Sequence, residues 1–125
     1  MEIALPADCG NAPRIGIVGD FAVDWARRKA AAVAERLAED ATWTVVGEAS
    51  RSGASAVEAS LPPFEPERIE VVSIITHGRL ASCDGVLEGE ERRLGFSLVL
   101  RFASTSKTAR IAELRSYCIE MDASG

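Results

Sequence analysis

The residues able to do acid–base chemistry in this chain are few. His77 is the sole imidazole, and its unperturbed pKa near neutrality suits a general base. It stands directly before Gly78, however, a pair that reads as a turn between two strands. Asp84 and Glu113 are the acids carried by strand-like text, and Asp84 precedes Gly85, which is turn or bulge chemistry. His77, Asp84 and Glu113 are therefore the catalytic candidates. Arg101 and Arg115 could hold an anion by bidentate contacts, or pair with Glu113 and Glu120 on an outer sheet face. The cysteines Cys9, Cys83 and Cys118 are odd in number and lack CxxC spacing, which reads as a reducing compartment, and the two in apolar strand-like text read as small buried hydrophobes. With one histidine beside them, no zinc site is expected, and nothing in the pattern asks for a metal or a cofactor.

Composition narrows the class. The 125 residues are too short for two ordinary domains and long enough for one core. Hydrophobic residues at 47% against charged residues at 26% give the balance of a globular domain. Fourteen Lys plus Arg face nineteen Asp plus Glu, a net charge of -5, which opposes binding to nucleic acid or to an anionic membrane surface. MEIALPADCGNAP has no basic leader and is broken by Pro6 and Asp8, so it does not read as a signal peptide. No apolar stretch approaches the roughly 20 residues that span a bilayer. The expected location is cytoplasmic.

The elements that must position these residues follow from periodicity. Residues 1–12 read as a flexible arm ended by Asn11 and Pro13, a helix-start pair. Ile15, Val18, Phe21, Ala22 and Trp25 then form one apolar helical face. Gly16 and Gly19 interrupt it at about 1 kcal/mol each relative to alanine, and would permit another element to approach closely. KAAAVAERLAED reads as a second, slim helix. ATWTVVGE reads as a strand and ASRSGAS as a turn. Ser55 and Glu58 suggest a capping box for a short third helix before Pro62-Pro63. After that come four strands, RIEVVSIIT, LASCDGVLE, LGFSLVLRF and RIAELRSYCIEM. Asp84-Gly85 is placed at a bulge within one long strand, with the turn at Gly89-Glu90-Glu91, because strand lengths then match. Phe96, Leu98, Leu100 and Phe102 alternate with Ser97, Val99 and Arg101. Helices gathered first and strands last indicate α+β, with helices covering one face of a curved, mostly antiparallel sheet and a cleft between the layers. One domain is expected over 13–121, with 122–125 as a tail.

This order, with Leu37-Ala38-Glu39-Asp40-Ala41-Thr42-Trp43, Gly47 and Arg51-Ser52-Gly53 in its middle, resembles the nuclear transport factor two-like (NTF2-like) superfamily, in particular its SnoaL-like and ketosteroid-isomerase-like members. Leu100-Arg101-Phe102, followed by Arg110-Ile111 and Arg115-Ser116-Tyr117, extends the match to nearly the whole chain. The resemblance implies a cone-shaped fold enclosing an apolar pocket. Ketosteroid isomerases use a carboxylate base with a tyrosine and a protonated carboxylic acid as oxyanion donors. Those roles fall here on residues near Thr44-Val45, on Phe21 and on Leu98, none of which supplies the chemistry. An epoxide-hydrolase-like Arg-Asp-Tyr motif meets Arg115-Ser116-Tyr117, where Ser116 replaces the acid. SnoaL-like polyketide cyclases place an acid in the pocket, and neither Asp84 nor Glu113 falls on a matched position.

The resemblance thus implies a pocket lined by Phe21, Trp25, Trp43, Leu98, Leu114 and Ser116, holding a small, largely apolar molecule without the isomerase set. Two other readings stay open. One is an enzyme of the same fold, a cyclase, isomerase or hydrolase, using His77 with Asp84 or Glu113. The other is a sheet-mediated assembly module with a vestigial pocket. A homodimer through the outer face bearing Ser97, Val99 and Arg101 is the expected assembly.

Overall fold

The computed structural model describes residues 1–6 and 13–122. Cys9 and the helix-start residue Asn11 lie outside the described residues, as do 123–125 of the expected tail. Helix α1 spans Pro13–Ala26 and buries Val18, Gly19, Phe21, Ala22, Trp25 and Ala26, spacings of three and four that make one stripe. At Gly19 a Cβ would sit 3.4 Å from Ile74 Cδ1, an ordinary contact, so the neighbouring element approaches without requiring glycine there. Gly16 faces open space, with no such neighbour.

The second helix is shorter than its composition suggests. α2 covers Ala30–Glu35, and β2 begins at Leu37 and continues to Val45. The reason is tertiary: Leu37 pairs with Ile111, and Thr42–Val45 pair with Glu113–Ser116, so the final strand takes up residues that would otherwise extend the helix. The stretch read as a turn after Gly47 contains a strand, β3 at Ser50–Ser52, antiparallel to β2. α3 runs Ala54–Ser60 behind Gly53, with no side-chain cap, so Ser55 does not form the expected capping box.

The four late strands are β4 at Arg68–His77, β5 at Leu80–Glu88, β6 at Arg93–Phe102 and β7 at Ile111–Met121, an antiparallel meander. β5 is continuous through Asp84-Gly85, and the extra residue of the bulge, Val72, belongs to the facing strand β4. Gly85 is required there, because a Cβ would lie 1.9 Å from the Glu70 carbonyl oxygen. The chain start also departs from the loose arm expected of it. Glu2–Ala4 form a short strand parallel to β4, fixed by Glu2 N–H to Glu67 O at 2.8 Å and by an Arg68 Nε–Glu2 ion pair at 3.1 Å. Backbone pairing and one arginine thus order a segment whose composition gave no strand signal.

Counting this edge strand (labelled β1), the seven-stranded sheet has the order β1-β4-β5-β6-β7-β2-β3. Its pairs are antiparallel except β1 with β4 and β2 with β7. The alternation read in β6 holds: Phe96, Leu98, Leu100 and Phe102 are buried, and Ser97, Val99 and Arg101 lie on the other face. Helices and inner sheet face form one core, with ring pairs Phe21–Trp43 and Trp25–Phe96 at 6.1 and 5.2 Å.

Candidate functional site

Register decides which side chains meet the helices. Ala81, Cys83, Gly85 and Leu87 of β5 pair with Leu100, Leu98, Phe96 and Leu94 of β6. Across β6, the partners on β7 are Leu114, Ser116, Cys118 and Glu120, and Trp43 of β2 pairs with Leu114 in turn. Phe21, Trp43, Leu98 and Leu114 are fully buried in this layer and form a solid floor. Toward the C-terminal end of β7 the packing opens into a cavity of about 420 Å³. Trp25 from α1, Ser60 at the end of α3, Val45, Leu94, Ser116 and Cys118 line it, and Glu48, Arg92 and Glu120 stand among its charged neighbours. Of the six residues assigned to a pocket from the resemblance, Trp25 and Ser116 line this cavity, and the other four lie in the core layer behind it.

Two indole N–H groups organise the polar part of the wall. Trp25 Nε1 donates to the Ser60 backbone carbonyl at 2.9 Å. Trp43 Nε1 donates to Ser116 Oγ at 3.1 Å. Ser60 and Ser116 are the buried polar residues among the described residues, and Ser60 Oγ is buried without a hydrogen-bond partner. The rim is charged. Arg92 pairs with Glu120 and lies over the Phe64 ring at 4.5 Å. The Cys118 thiol is pushed up to about 11, chiefly by burial and secondarily by the charge of Glu48, so it is protonated at neutral pH. Cys83, deeper in the same face, is pushed up to about 12 by burial and then by Asp84.

The acid–base candidates are elsewhere. Asp84 pairs with Ser97 across the outer face and accepts a hydrogen bond from Ser73 Oγ. Glu113 sits between Arg115 at 3.2 Å and Arg101 at 3.9 Å, the outer-face pairing expected of those arginines. His77 ends β4 opposite Leu80, exposed at a hairpin whose Gly78 has φ +59°. The three are therefore not brought together at the cavity. Glu120 is the reverse case: expected on the outer face, it steps in phase with Ser116 and Cys118 and reaches the cavity rim. The signal was available in the two-residue period of β7. Ser60 was equally legible in principle, following buried Ala56 and Val57 at helical spacing. The role of Arg92 depends on a long-range partner and left no local trace.

This arrangement of a curved sheet around three helices is an NTF2-like fold. The chain superimposes on an NTF2-like protein of unknown function from Burkholderia xenovorans with a TM-score of 0.71 and 15% identity, covering 87% of this chain and 84% of that one. A putative ketosteroid isomerase from Kribbella flavida matches with a TM-score of 0.65 and 14% identity over 85% and 77% of the two chains. SalBIII, an epoxide hydrolase/cyclase-like enzyme of pyran ring formation in the polyether salinomycin, matches at 0.61 and 17% identity over 85% and 90%. No protein-family model and no curated protein sequence matches the chain. Identities this low carry the fold and leave the chemistry to the site.

Proposed function

We propose that the protein binds a small, largely apolar molecule in the cavity between α1, α3 and the inner sheet face, and does so without the ketosteroid isomerase catalytic set. The observation that carries this reading is the cavity itself: about 420 Å³, within the range of roughly 300–1,000 Å³ usual for small-molecule sites. Its lining combines Trp25, Val45, Leu61 and Leu94 with the residues Ser60 and Ser116, and Glu48, Arg92 and Glu120 add charge to it. Phe21 and Leu98, at the positions where the resemblance expects the isomerase donors, are apolar and buried. The position of His77, Asp84 and Glu113 away from the cavity favours binding over the enzyme reading. A ring compound burying about 250 Å² of apolar surface gains about 6 kcal/mol gross, which after association costs leaves micromolar-to-millimolar affinity. Titration with cyclohexyl methyl ketone should shift the emission of Trp25, and Val45→Phe, which fills the cavity, should abolish the shift. A response that persists in Val45→Phe would place binding elsewhere.

A second reading concerns assembly, and a specific observation favours it. The outer face carries an open groove of about 780 Å³ whose walls include Ile75, Tyr117, Ile119 and Met121. Ile75 and Ile119 are 63% and 71% exposed, more apolar surface than a solvated sheet face needs. The alternating charges Arg101, Glu113 and Arg115 beside it can meet their own copy across a two-fold axis. A homodimer through this face, in a reducing cytoplasm that suits the free thiols Cys83 and Cys118, is the assembly we infer. The groove apolar residues extend the patch beyond Ser97, Val99 and Arg101. Light scattering should give twice the chain mass of 13.3 kDa; a monomer at micromolar concentration would count against it.

A further inference from the structure

We propose that Ser60 and Ser116 act together as the polar anchor of the cavity and select a neutral ligand with one oxygen function, such as a ketone, ester or alcohol, on a compact apolar body. The inference rests on the cavity-binding reading above and goes further by naming the ligand chemistry and the residues that choose it. Ser60 and Ser116 are the two buried polar residues among those described, they come from opposite layers of the fold, and both line the same cavity. Each is held by an indole: Trp25 fixes the Ser60 carbonyl and Trp43 donates to Ser116 Oγ. The Ser60 hydroxyl has no partner. Ser116 receives a proton from Trp43 and has no acceptor for its own among the described residues. A buried hydroxyl without a partner is costly, and folded proteins rarely keep one. Ser60 Oγ is such a hydroxyl, Ser116 Oγ is held by Trp43 alone, and both residues belong to the lining of the one cavity, the place where a ligand oxygen would accept.

The charge pattern sets the rest of the selectivity. Arg92 is engaged by Glu120 and by the Phe64 ring, so an incoming carboxylate would lose hydration without gaining a free cation. It would also approach Glu48 and Glu120 at the rim. A hydrocarbon of the same shape would fill the space and leave the Ser60 hydroxyl without a partner.

Three matched probes test this: cyclohexyl methyl ketone, ethylcyclohexane and cyclohexanecarboxylate, titrated into wild type, Ser60→Ala and Ser116→Ala. Wild type should bind the ketone roughly three- to tenfold more tightly than the hydrocarbon, the effect of one or two net hydrogen bonds, and the carboxylate most weakly. Ser60→Ala, which keeps the backbone bond to Trp25, should lose the ketone preference while retaining hydrocarbon binding. It should also melt at a higher temperature, because an orphan hydroxyl has gone; a purely structural serine would not give that pair of results. Ser116→Ala should behave likewise and alter Trp43 emission, and Ser60→Ala alone decides the matter if Ser116→Ala folds poorly. A ketone preference that survives both substitutions, or tightest binding of the carboxylate, overturns the anchor and leaves the cavity reading standing. Failure of all three probes to bind wild type overturns both.

Discussion

The two faces of the sheet are made from the same four strands and differ in almost every physical respect. On the inner face β6 presents Phe96, Leu98, Leu100 and Phe102, each nearly inaccessible to solvent. One residue out of phase, the outer face presents Ser97, Val99 and Arg101, with the acid–base candidates Asp84 and Glu113 on the flanking strands. The inner face holds aromatic rings, two tethered serines and a cavity. The outer face holds ion pairs, hydroxyls and a broad apolar groove. The candidates His77, Asp84 and Glu113 are thus kept away from the inner cavity, whose own charged groups, Glu48, Arg92 and Glu120, stand beside the neutral Ser60 and Ser116. In this fold, being carried by a strand says little about function until the parity of the residue is known.

The contrast can be broken most severely from inside. Phe21→Ala removes a fully buried ring that packs at a tilt against Trp43 and should cost about 3–5 kcal/mol in urea unfolding. Gly85→Ala drives a Cβ into the Glu70 carbonyl beside the Val72 bulge and should cost about 1–3 kcal/mol or more, even though alanine has the better intrinsic propensity. Ile119→Lys on the outer face should leave monomer stability within about 0.5 kcal/mol and yet dissociate the proposed dimer, as read by light scattering. Equal destabilisation by Phe21→Ala and Ile119→Lys would erase the distinction between the faces.

The smallest effect concerns the thiols. The folded thiols Cys83 and Cys118 ionise near 12 and 11, against an ordinary value of 9.0. The unfolded chain therefore releases these protons first, so their contribution is intact below pH 9 and lost as pH rises through 11 and 12. Thermal melts across that window should show a falling midpoint. Cys118, although reachable by solvent, should alkylate slowly at pH 7.5, which peptide mass spectrometry of that site would check.

Much of the fold was written in short-range patterns. The stripe of α1, the four late strands, the continuous β5 and the two faces of β6 all follow from periods of 3.6 and 2. The errors cluster where a distant strand decides. The stretch from Leu37 has helical composition and becomes strand because β7 pairs with Leu37 at its start and with Thr42–Val45 beyond it; Glu2–Ala4 become strand because β4 offers an edge. The site was legible in part for the same reason. Trp25 and Ser116 sit at the cavity, whereas Trp43 and Leu114, in correct phase, lie too far down the cone to touch it. Alternation gives the face of a residue, but depth along the cone depends on how all three helices pack. Ser60 and Arg92 needed that packing to be noticed at all.

The proposed function requires the inner cavity, and not the larger outer groove, to receive the ligand. The most direct test is an NMR measurement of intermolecular NOEs from cyclohexyl methyl ketone to assigned methyl groups. Contacts to Val45 and Leu94, with none to Ile75 or Ile119, are the predicted result. Contacts confined to Ile75 and Ile119 would contradict it and make the outer face the binding surface.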